Sequence, residues 1–184
     1  MNKKSPVVTI VAIGIGAALF FVLGRFVAIP SPVPNTNISI QYGLLAFMAT
    51  LFGPLAGLLI AFIGHALSDS IQYGSVWWSW VIASGISCFL IGLVYPKMKV
   101  DEGEFGKKDI ITFNIYQVIA NVISWVIVAP VLDIVVYAEP VSLVFTQGAV
   151  AALSNAVSAG VIGSILLVLY SKTRSKKGSL TKEA

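Results

Sequence analysis

The stretch ISIQYGLLAFMATLFGPLAGLLIAFIGHALS, residues 38–68, carries no Asp, Glu, Lys or Arg, and the charge-free run extends back to Phe26. Near its centre, Phe52-Gly53-Pro54 predicts a tight turn, because Gly and Pro favour turns and interrupt helices. A helix needs about 20 apolar residues to cross the hydrocarbon core of a bilayer. The two halves of this stretch therefore indicate two membrane-spanning helices joined by a short turn.

The composition of the whole chain extends this interpretation. Its 184 residues are 57% hydrophobic and 11% charged, whereas charged residues make up about 25% of a soluble domain. Apolar runs separated by Gly, Pro, Asn and Asp predict six spans, the second of them short. The spans cover residues 7–29, 38–52, 55–73, 76–95, 110–136 and 144–171. We expect an all-α integral membrane protein, a six-transmembrane-helix bundle that forms one membrane domain over residues 1–184.

Positively charged residues set the expected orientation, since Lys and Arg in short loops stay on the cytoplasmic side. With six spans both termini share a side, and placing the N and C termini in the cytoplasm leaves only Arg25 near the outer surface. The inner cations are then Lys3, Lys4, Lys97, Lys99, Lys107, Lys108, Lys172 and those of a polar cytoplasmic tail at 173–184. The first span is too long for a signal peptide and is expected to be a retained anchor.

The net charge of +4 does not indicate a nucleic-acid partner. No basic cluster has interleaved aromatic residues, and the basic residues flank apolar spans. We expect these cations to face the surface of the lipid bilayer.

The same topology collects polar and aromatic residues in the outer half of the bundle. A charge at the bilayer centre costs roughly 2.5 to 3.5 kcal/mol on insertion scales, so polar groups at depth usually face protein or a wet cavity. We therefore predict a binding pocket open to the outside. Its candidate residues are Asn35, Asn37, Gln41, His65, Asp69, Tyr73, Trp77, Trp78, Trp80, Asn121, Trp125, Asp133, Gln147 and Asn155.

Structural interpretations of these residues stay open. The three tryptophans within residues 77–80 also fit an aromatic belt at headgroup level. The Asn and Gln side chains of residues 114–125 share one helical face and can hydrogen-bond neighbouring helices. His65 and Asp69 can pair with each other or with Arg25. If the polar cluster has only these structural roles, the chain is a structural or regulatory membrane protein.

A metal-dependent membrane enzyme is a third hypothesis. His65 and Asp69 would ligate the metal together with Asp133 or Glu139. The chain has one His and no His-Glu-x-x-His motif, and its Ser and Lys residues follow no pattern of nucleophile and base. We therefore predict no catalytic residue, no cofactor and no metal site.

The first span carries two pairs of small residues. Ala12 and Gly16 form one small-xxx-small pair, and Gly14 and Ala18 form the other. Such pairs let helices approach closely, either inside the bundle or against a partner subunit.

Several stretches of the chain resemble the S components of energy-coupling factor (ECF) transporters, in a bacterial subfamily whose substrate is poorly defined. The six spans, the small-residue stripe and the outward pocket agree with that family. The stretches that carry the resemblance cover almost the whole chain and include AIGIGAALFFVLGRF, IPSPVPNTNI, LFGPLAG, FIGHALSD, WWSWVIASGI, DEGEFGKKDI, APVLDI, YAEP and VFTQG.

The resemblance implies a subunit of the bacterial cell membrane that captures a vitamin-like micronutrient outside the cell. It implies partners as well, a transmembrane coupling (T) subunit and two ATPases, and the chain itself lacks a phosphate-binding loop motif. Ala12, Gly14, Gly16 and Ala18 match the family's docking surface, with Gly replacing some Ala, and either register is possible. The loop at residues 32–37 is the expected lid. More acids than cations on the outer side favour a cationic or hydrogen-bond-donating ligand.

Overall fold

A computed structural model describes residues 4–174, which form a bundle of six helices and a short β-hairpin. The prediction of an all-helical bundle is confirmed in its class. The helices are α1 (Pro6–Phe26), α2 (Gln41–Phe52), α3 (Pro54–Tyr73), α4 (Trp78–Gly92), α5 (Lys107–Tyr137) and α6 (Val141–Lys172). Most of the predicted tail, from residue 175 onward, lies outside the described residues.

Two of the helices change their winding along their length. Within α5, the segments Val122–Val128 and Asp133–Tyr137 are π-helical, and Ala129–Leu132 between them is α-helical. Within α6, the segment Ala159–Gly163 is π-helical. Two 3₁₀ turns, Tyr95–Lys97 and Val100–Glu102, connect α4 to α5. π-Helical turns are rare and often occur at functional sites.

Five of the helices are long and apolar enough to cross a membrane, and α2 is the short one. Its 12 residues rise about 18 Å, less than the roughly 30 Å of a hydrocarbon core. The predicted start of this span at residue 38 is wrong, since that residue lies in a strand. Large apolar side chains cover the outside of the bundle, for example Val7, Ile115 and Leu153, as expected of a membrane protein.

The segment before α2 is extended because its prolines cannot continue a helix. The strands β1 (Ile29–Pro30) and β2 (Asn37–Ile38) pair antiparallel, with Ile29 opposite Ile38. The predicted non-helical loop is thus a β-hairpin, a small exception to the all-α class. Residues 31–36, which connect the strands, are called the hairpin loop below.

Small residues let the helix backbones approach one another. A methyl group added to Gly57 of α3 would lie 2.7 Å from Ala49 of α2 and 2.8 Å from the carbonyl oxygen of Cys88 in α4. On α1, Gly16 faces α3, where an added methyl group would lie 2.9 Å from Ile60. Gly14 has no neighbour within 4 Å of such a group. The register of α1 is therefore settled within the bundle: Ala12 and Gly16 are buried, and Gly14 and Ala18 are exposed.

Both ends of the described chain meet at one end of the bundle, the terminal end. Lys4 Nζ lies 3.2 Å from Asp101 Oδ2, and the Tyr170 hydroxyl donates to Asp101 Oδ1 at 2.8 Å. Arg174 in turn contacts the Tyr170 hydroxyl. Burial lowers the pKa of the Lys4 ammonium from its usual value, and the nearby Asp101 carboxylate opposes that shift.

Candidate functional site

A cavity of about 290 Å³ lies at the opposite end of the bundle, called the cavity end. The hairpin loop, the α3–α4 connection and the α5–α6 connection surround it, together with the adjoining helix ends. Every predicted pocket residue except Trp78 and Asn121 lines it. Those that do are Asn35, Asn37, Gln41, His65, Asp69, Tyr73, Trp77, Trp80, Trp125, Asp133, Gln147 and Asn155.

Trp78 and Asn121 do not line the cavity, so the prediction that they do is wrong. Trp78 is 47% exposed on the outside of the bundle, where its ring lies 5.9 Å from that of Phe62. Asn121 is buried beneath Trp125 and accepts a hydrogen bond from its indole nitrogen at 3.1 Å. Trp78 therefore fits the aromatic-belt interpretation, and Asn121 supports the pocket from below.

Other lining residues were not predicted. Phe20 of α1 and Tyr42 of α2 reach the cavity, and Ser68 and Gln72 join His65 and Asp69 from α3. Phe20 carries no polar signal in an apolar span, so the argument from polar depth could not find it. Ser68 and Gln72 lie close to Asp69 on the same helix, and this proximity could have predicted that they line the pocket.

Three aromatic rings, Tyr42, Trp80 and Trp125, form what we call the aromatic wall. The Trp80 and Trp125 rings lie 5.5 Å apart at an interplanar angle of 31°. Tyr42 meets Trp125 edge to face at 5.4 Å. The indole nitrogens of both tryptophans donate to protein acceptors, so the rings rather than these nitrogens form this side of the cavity. Aromatic ring faces suit stacking on a flat molecule.

A ladder of amides along α5 supports Trp125. Asn121 Nδ2 donates to Gln117 Oε1 at 3.1 Å, and Gln117 Nε2 donates to Asn114 Oδ1 at 3.2 Å. Asn114 Nδ2 then reaches Ser164 Oγ of α6 at 3.1 Å. The predicted common face of these residues is present, and its lower part joins two helices, as the interpretation of Asn and Gln as helix-joining residues proposed.

Asp133 begins the second π-helical segment of α5 and is 1% exposed. Its carboxylate accepts hydrogen bonds from Trp77 Nε1 at 2.7 Å, from Trp80 Nε1 at 2.6 Å and from Ser79 Oγ. Ser79 and Trp80 lie in the first turn of α4, and Trp77 directly precedes that helix. Hydrogen bonds to an ionised acceptor are stronger than neutral ones. Asp133 therefore fastens α4 to α5 and sets the orientation of the two indoles.

Asp69 and His65 form the pair that their spacing allowed, with His65 Nε2 3.6 Å from Asp69 Oδ1. Asp69 Oδ2 also accepts the backbone N–H of Trp77 at 3.0 Å. Within residues 4–174, Arg25 makes no ion pair, so the alternative pairing with that residue is not seen. Asp69 thereby ties α3 to the start of α4 at the cavity.

Three buried polar atoms on lining residues have no hydrogen-bond partner within the described chain. They are Gln41 Oε1, His65 Nδ1 and Ser68 Oγ. An unpaired buried polar group costs about 1–3 kcal/mol, so native proteins rarely leave several together without a function. All three atoms belong to residues that line the cavity.

The hairpin loop is fastened over the cavity from α6. Gln147 Nε2 donates to the Pro34 carbonyl at 2.8 Å. The next residue, Asn35, has a φ of 55°, in the left-handed region that Asn tolerates better than most residues. Below the hairpin, Ser158 Oγ donates to the Ile40 carbonyl at 3.0 Å. One side chain of α6 thus holds the loop that the sequence predicts to be a lid.

Replacing Gln147 by alanine is expected to loosen the hairpin loop, because the Pro34 carbonyl loses its donor. We expect a stability loss of about 1 kcal/mol and faster hydrogen exchange at the backbone amide of Thr36. Thr146→Ala is the matched control, since the Thr146 hydroxyl bonds only within its own helix. Hydrogen–deuterium exchange of both variants checks this, and equal protection of the loop in the two would contradict the role of Gln147.

The acids of the cavity do not gather into a metal site. Across residues 4–174, no three of the His, Cys, Asp and Glu side chains lie close enough together to hold a metal ion. The ligand set that the metal-enzyme hypothesis requires, His65 and Asp69 with Asp133 or Glu139, is therefore not assembled.

Comparison with known proteins gives consistent relatives. Residues 4–172 match the family described as "ECF-type riboflavin transporter, S component". A UPF0397 protein of Lacticaseibacillus casei is 53% identical over 183 residues, covering 100% of this chain and 98% of the relative. One of Exiguobacterium sp. is 57% identical over 175 residues, covering 95% and 96%. A crystal structure of the S-component for biotin from an ECF-type ABC transporter has a TM-score of 0.60 at 19% identity, covering 100% of this chain and 96% of that one. At that identity the last match concerns the fold alone.

Proposed function

Since this chain belongs to the ECF-type riboflavin transporter S component family, we propose that it captures a small water-soluble micronutrient, a vitamin or vitamin precursor, for import. The resemblance found in the sequence is confirmed by that membership. The chain is a non-catalytic, membrane-embedded substrate-binding subunit of an ECF transporter. Its ligand and its own partners are the parts that we propose.

The cavity carries the proposal. It joins ring faces for stacking with buried polar atoms that lack partners, Gln41 Oε1 and His65 Nδ1 among them. A purely structural polar cluster would satisfy its own hydrogen bonds, as the amide ladder of α5 largely does. A bound small molecule supplies the hydrogen-bond partners that this cluster lacks. The combination of an apolar lining and a few convergent polar groups is typical of ligand sites.

We propose that the cavity end faces the outside of the bacterial cell and the terminal end faces the cytoplasm. The terminal end carries Lys4, the cations of the α4–α5 connection and those that follow α6. This distribution follows the rule that Lys and Arg of short loops stay inside. A substrate then enters from outside, and energy for release comes from the partner subunits.

S components of ECF transporters work with a transmembrane coupling subunit and ATPases. For this chain we propose one coupling subunit and two ATPases as partners. The coupling subunit docks on Gly14 and Ala18. Both residues are exposed on α1, where small side chains let another helix approach closely. Ala12 and Gly16 were also predicted to contact the partner, but they pack inside the bundle and are not proposed as contacts.

A Gly14→Leu variant is expected to keep its fold and its ligand but to lose the partner subunits. The new side chain has open space on the isolated bundle, since nothing lies within 4 Å of a Cβ there, but would hold a partner helix away. Recovery of the coupling subunit and ATPases on affinity-tagged protein checks this, with at least a tenfold loss expected. Ala149→Leu, at an exposed position of α6, is the control. Equal recovery with both variants would contradict docking at Gly14.

Retention of a small molecule tests the capture function. The protein is purified in mild detergent from cells grown in rich medium, denatured, and analysed by mass spectrometry for a stoichiometric compound. We expect one compound, and we expect it to raise the unfolding temperature of the emptied protein. An empty protein that no vitamin of a standard panel stabilises would count against capture and in favour of a structural role.

A further inference from the structure

We infer that Ser158 of α6 is a positioning residue of the cavity: its hydroxyl caps the first turn of α2 and thereby fixes where Gln41 and Tyr42 lie. The inference rests on the proposed capture function, and it assigns a role in binding to a residue outside the cavity lining. Three observations carry it. They are a helix start without a cap of its own, a serine that makes two hydrogen bonds to that start, and a close approach of two helix backbones.

Helix α2 begins directly after the hairpin without a cap from its own sequence. The prolines within residues 30–34 keep the preceding chain extended, and the helix starts at Gln41. Ile40, the residue before it, makes no side-chain hydrogen bond to the first turn, because an aliphatic side chain has no acceptor. The first N–H groups of a helix lack partners within the helix. An acceptor from another element therefore stabilises this end of α2.

Ser158 supplies that acceptor from α6. Its Oγ accepts the backbone N–H of Gly43 at 3.0 Å, and this N–H also reaches the Ile40 carbonyl at 3.0 Å. The same Oγ donates its proton to the Ile40 carbonyl at 3.0 Å. One hydroxyl thus uses both its acceptor and its donor capacity at the junction between the hairpin and α2. Ser158 is 7% exposed, so little water competes for these bonds.

The backbones of α2 and α6 approach closely here because residue 43 is a glycine. A methyl group added to Gly43 would lie 2.8 Å from the carbonyl oxygen of Ser158 and 2.6 Å from Cβ of Ile162. A side chain at this position would push α2 away from α6 and move the Gly43 N–H out of reach of Ser158 Oγ. The glycine and the serine therefore form a single contact between the two helices.

This contact holds the part of α2 that faces the cavity. Gln41 and Tyr42 lie between Ile40 and Gly43 in the chain, and both line the cavity. Because Ser158 binds Ile40 and Gly43, the two residues between them cannot rotate or slide along α6 without breaking its hydrogen bonds. Ser158 therefore sets their position although it does not line the cavity.

Tyr42 extends the effect to the aromatic wall. Its ring lies 5.4 Å from that of Trp125 and 5.6 Å from that of Phe20, edge to face in both pairs. Its hydroxyl lies 3.4 Å from Ser84 Oγ of α4. A shift of the first turn of α2 would move the Tyr42 ring against these neighbours. The shape of the wall thus depends on the cap that Ser158 provides.

A Ser158→Ala variant tests this role in the protein without a bound compound. Full-length protein labelled with fluorotyrosine is studied by fluorine NMR in detergent micelles, and the Tyr42 signal is identified by its loss in Tyr42→Phe. We expect Ser158→Ala to shift this signal and to speed hydrogen exchange at the amides of residues 41–43 about tenfold, as the loss of roughly one hydrogen bond implies. Ser154→Ala is the matched control, because Ser154 Oγ bonds only within α6. Ser158→Thr keeps the hydroxyl and should stay close to the wild type.

Binding separates this inference from the capture proposal. The compound that the wild-type protein retains is titrated against the variants, and Ser158→Ala should bind it about fivefold more weakly, with no change in Ser154→Ala. The positioning role is overturned, and capture left standing, by an unchanged Tyr42 signal or unchanged binding in Ser158→Ala. It is also overturned if Ser154→Ala shifts the signal equally or if Ser158→Thr behaves like Ser158→Ala. A wild-type protein that retains no compound counts against capture, and the Tyr42 signal still decides whether Ser158 positions the ring.

Discussion

Replacing Gly148 by alanine is expected to lower the free energy of unfolding by about 3 kcal/mol, the upper part of the usual range for overpacking. A methyl group at this position of α6 would overlap the carbonyl oxygen of Trp125 and lie 3.1 Å from Pro130. Relief requires a shift of the α5 backbone at its π-helical segment. Because Trp125 belongs to the aromatic wall, we also expect the variant to lose its ligand. Thermal unfolding and ligand retention measure the two effects.

Gly14→Ala is the matched control for Gly148→Ala. Both changes add one methyl group to a glycine within a membrane helix, and at Gly14 nothing lies within 4 Å of it. Alanine also has the higher helix propensity, by about 1 kcal/mol, so the control should be neutral or slightly stabilising. If the two variants unfold at the same temperature, the close approach of α6 to Trp125 is contradicted.

Replacing Asp133 by alanine is expected to destabilise the protein by at least about 3 kcal/mol, because three donors lose their acceptor and each unpaired buried group costs about 1–3 kcal/mol. The donors are side chains of Trp77, Ser79 and Trp80. With the indoles released, we expect a shift in tryptophan fluorescence and at least a 30-fold loss of ligand affinity. Chemical unfolding and ligand titration of the same preparation measure these effects.

Glu104→Ala controls for the loss of an acidic side chain. Glu104 pairs with Lys99 at 3.6 Å, and both side chains are largely exposed, so its loss should cost at most about 1 kcal/mol. Asp133→Asn should fall between the two, because its amide oxygen still accepts but its amide nitrogen faces a donor. An Asp133→Ala protein as stable as Glu104→Ala would contradict the role of Asp133 as the clamp between α4 and α5.

The pocket shows how far reasoning from residue depth reaches. Polar residues at matching depths converge on one cavity, because six antiparallel helices bring the same ends of their spans together. Depth in the membrane does not determine the direction in which a side chain points from its helix. Trp78 is the first residue of α4, and it points outward although its depth is right. Asn121 has the right face but lies below Trp125, which covers it.

The role of Asp133 was also beyond the sequence. In the linear chain it was one of three outer acids that favoured a cationic ligand. In the fold, its three donors come from residues 77–80, more than 50 residues earlier, and they occupy its carboxylate. Asp69 is engaged as well, by the Trp77 backbone N–H and by His65, so two of the three acids have structural partners.

The sequence by itself determined the solvent, the helical class and the end of the bundle where polar residues gather. These properties depend on composition and on the lengths of apolar runs, because each run partitions into the bilayer largely according to its own residues. Only the tertiary structure decided which small pair of α1 faces inward, which carboxylate is occupied and which acceptors remain unpaired. Those outcomes depend on helix rotation and on contacts between residues distant in sequence, where a change of about 100° exchanges a buried side chain for an exposed one.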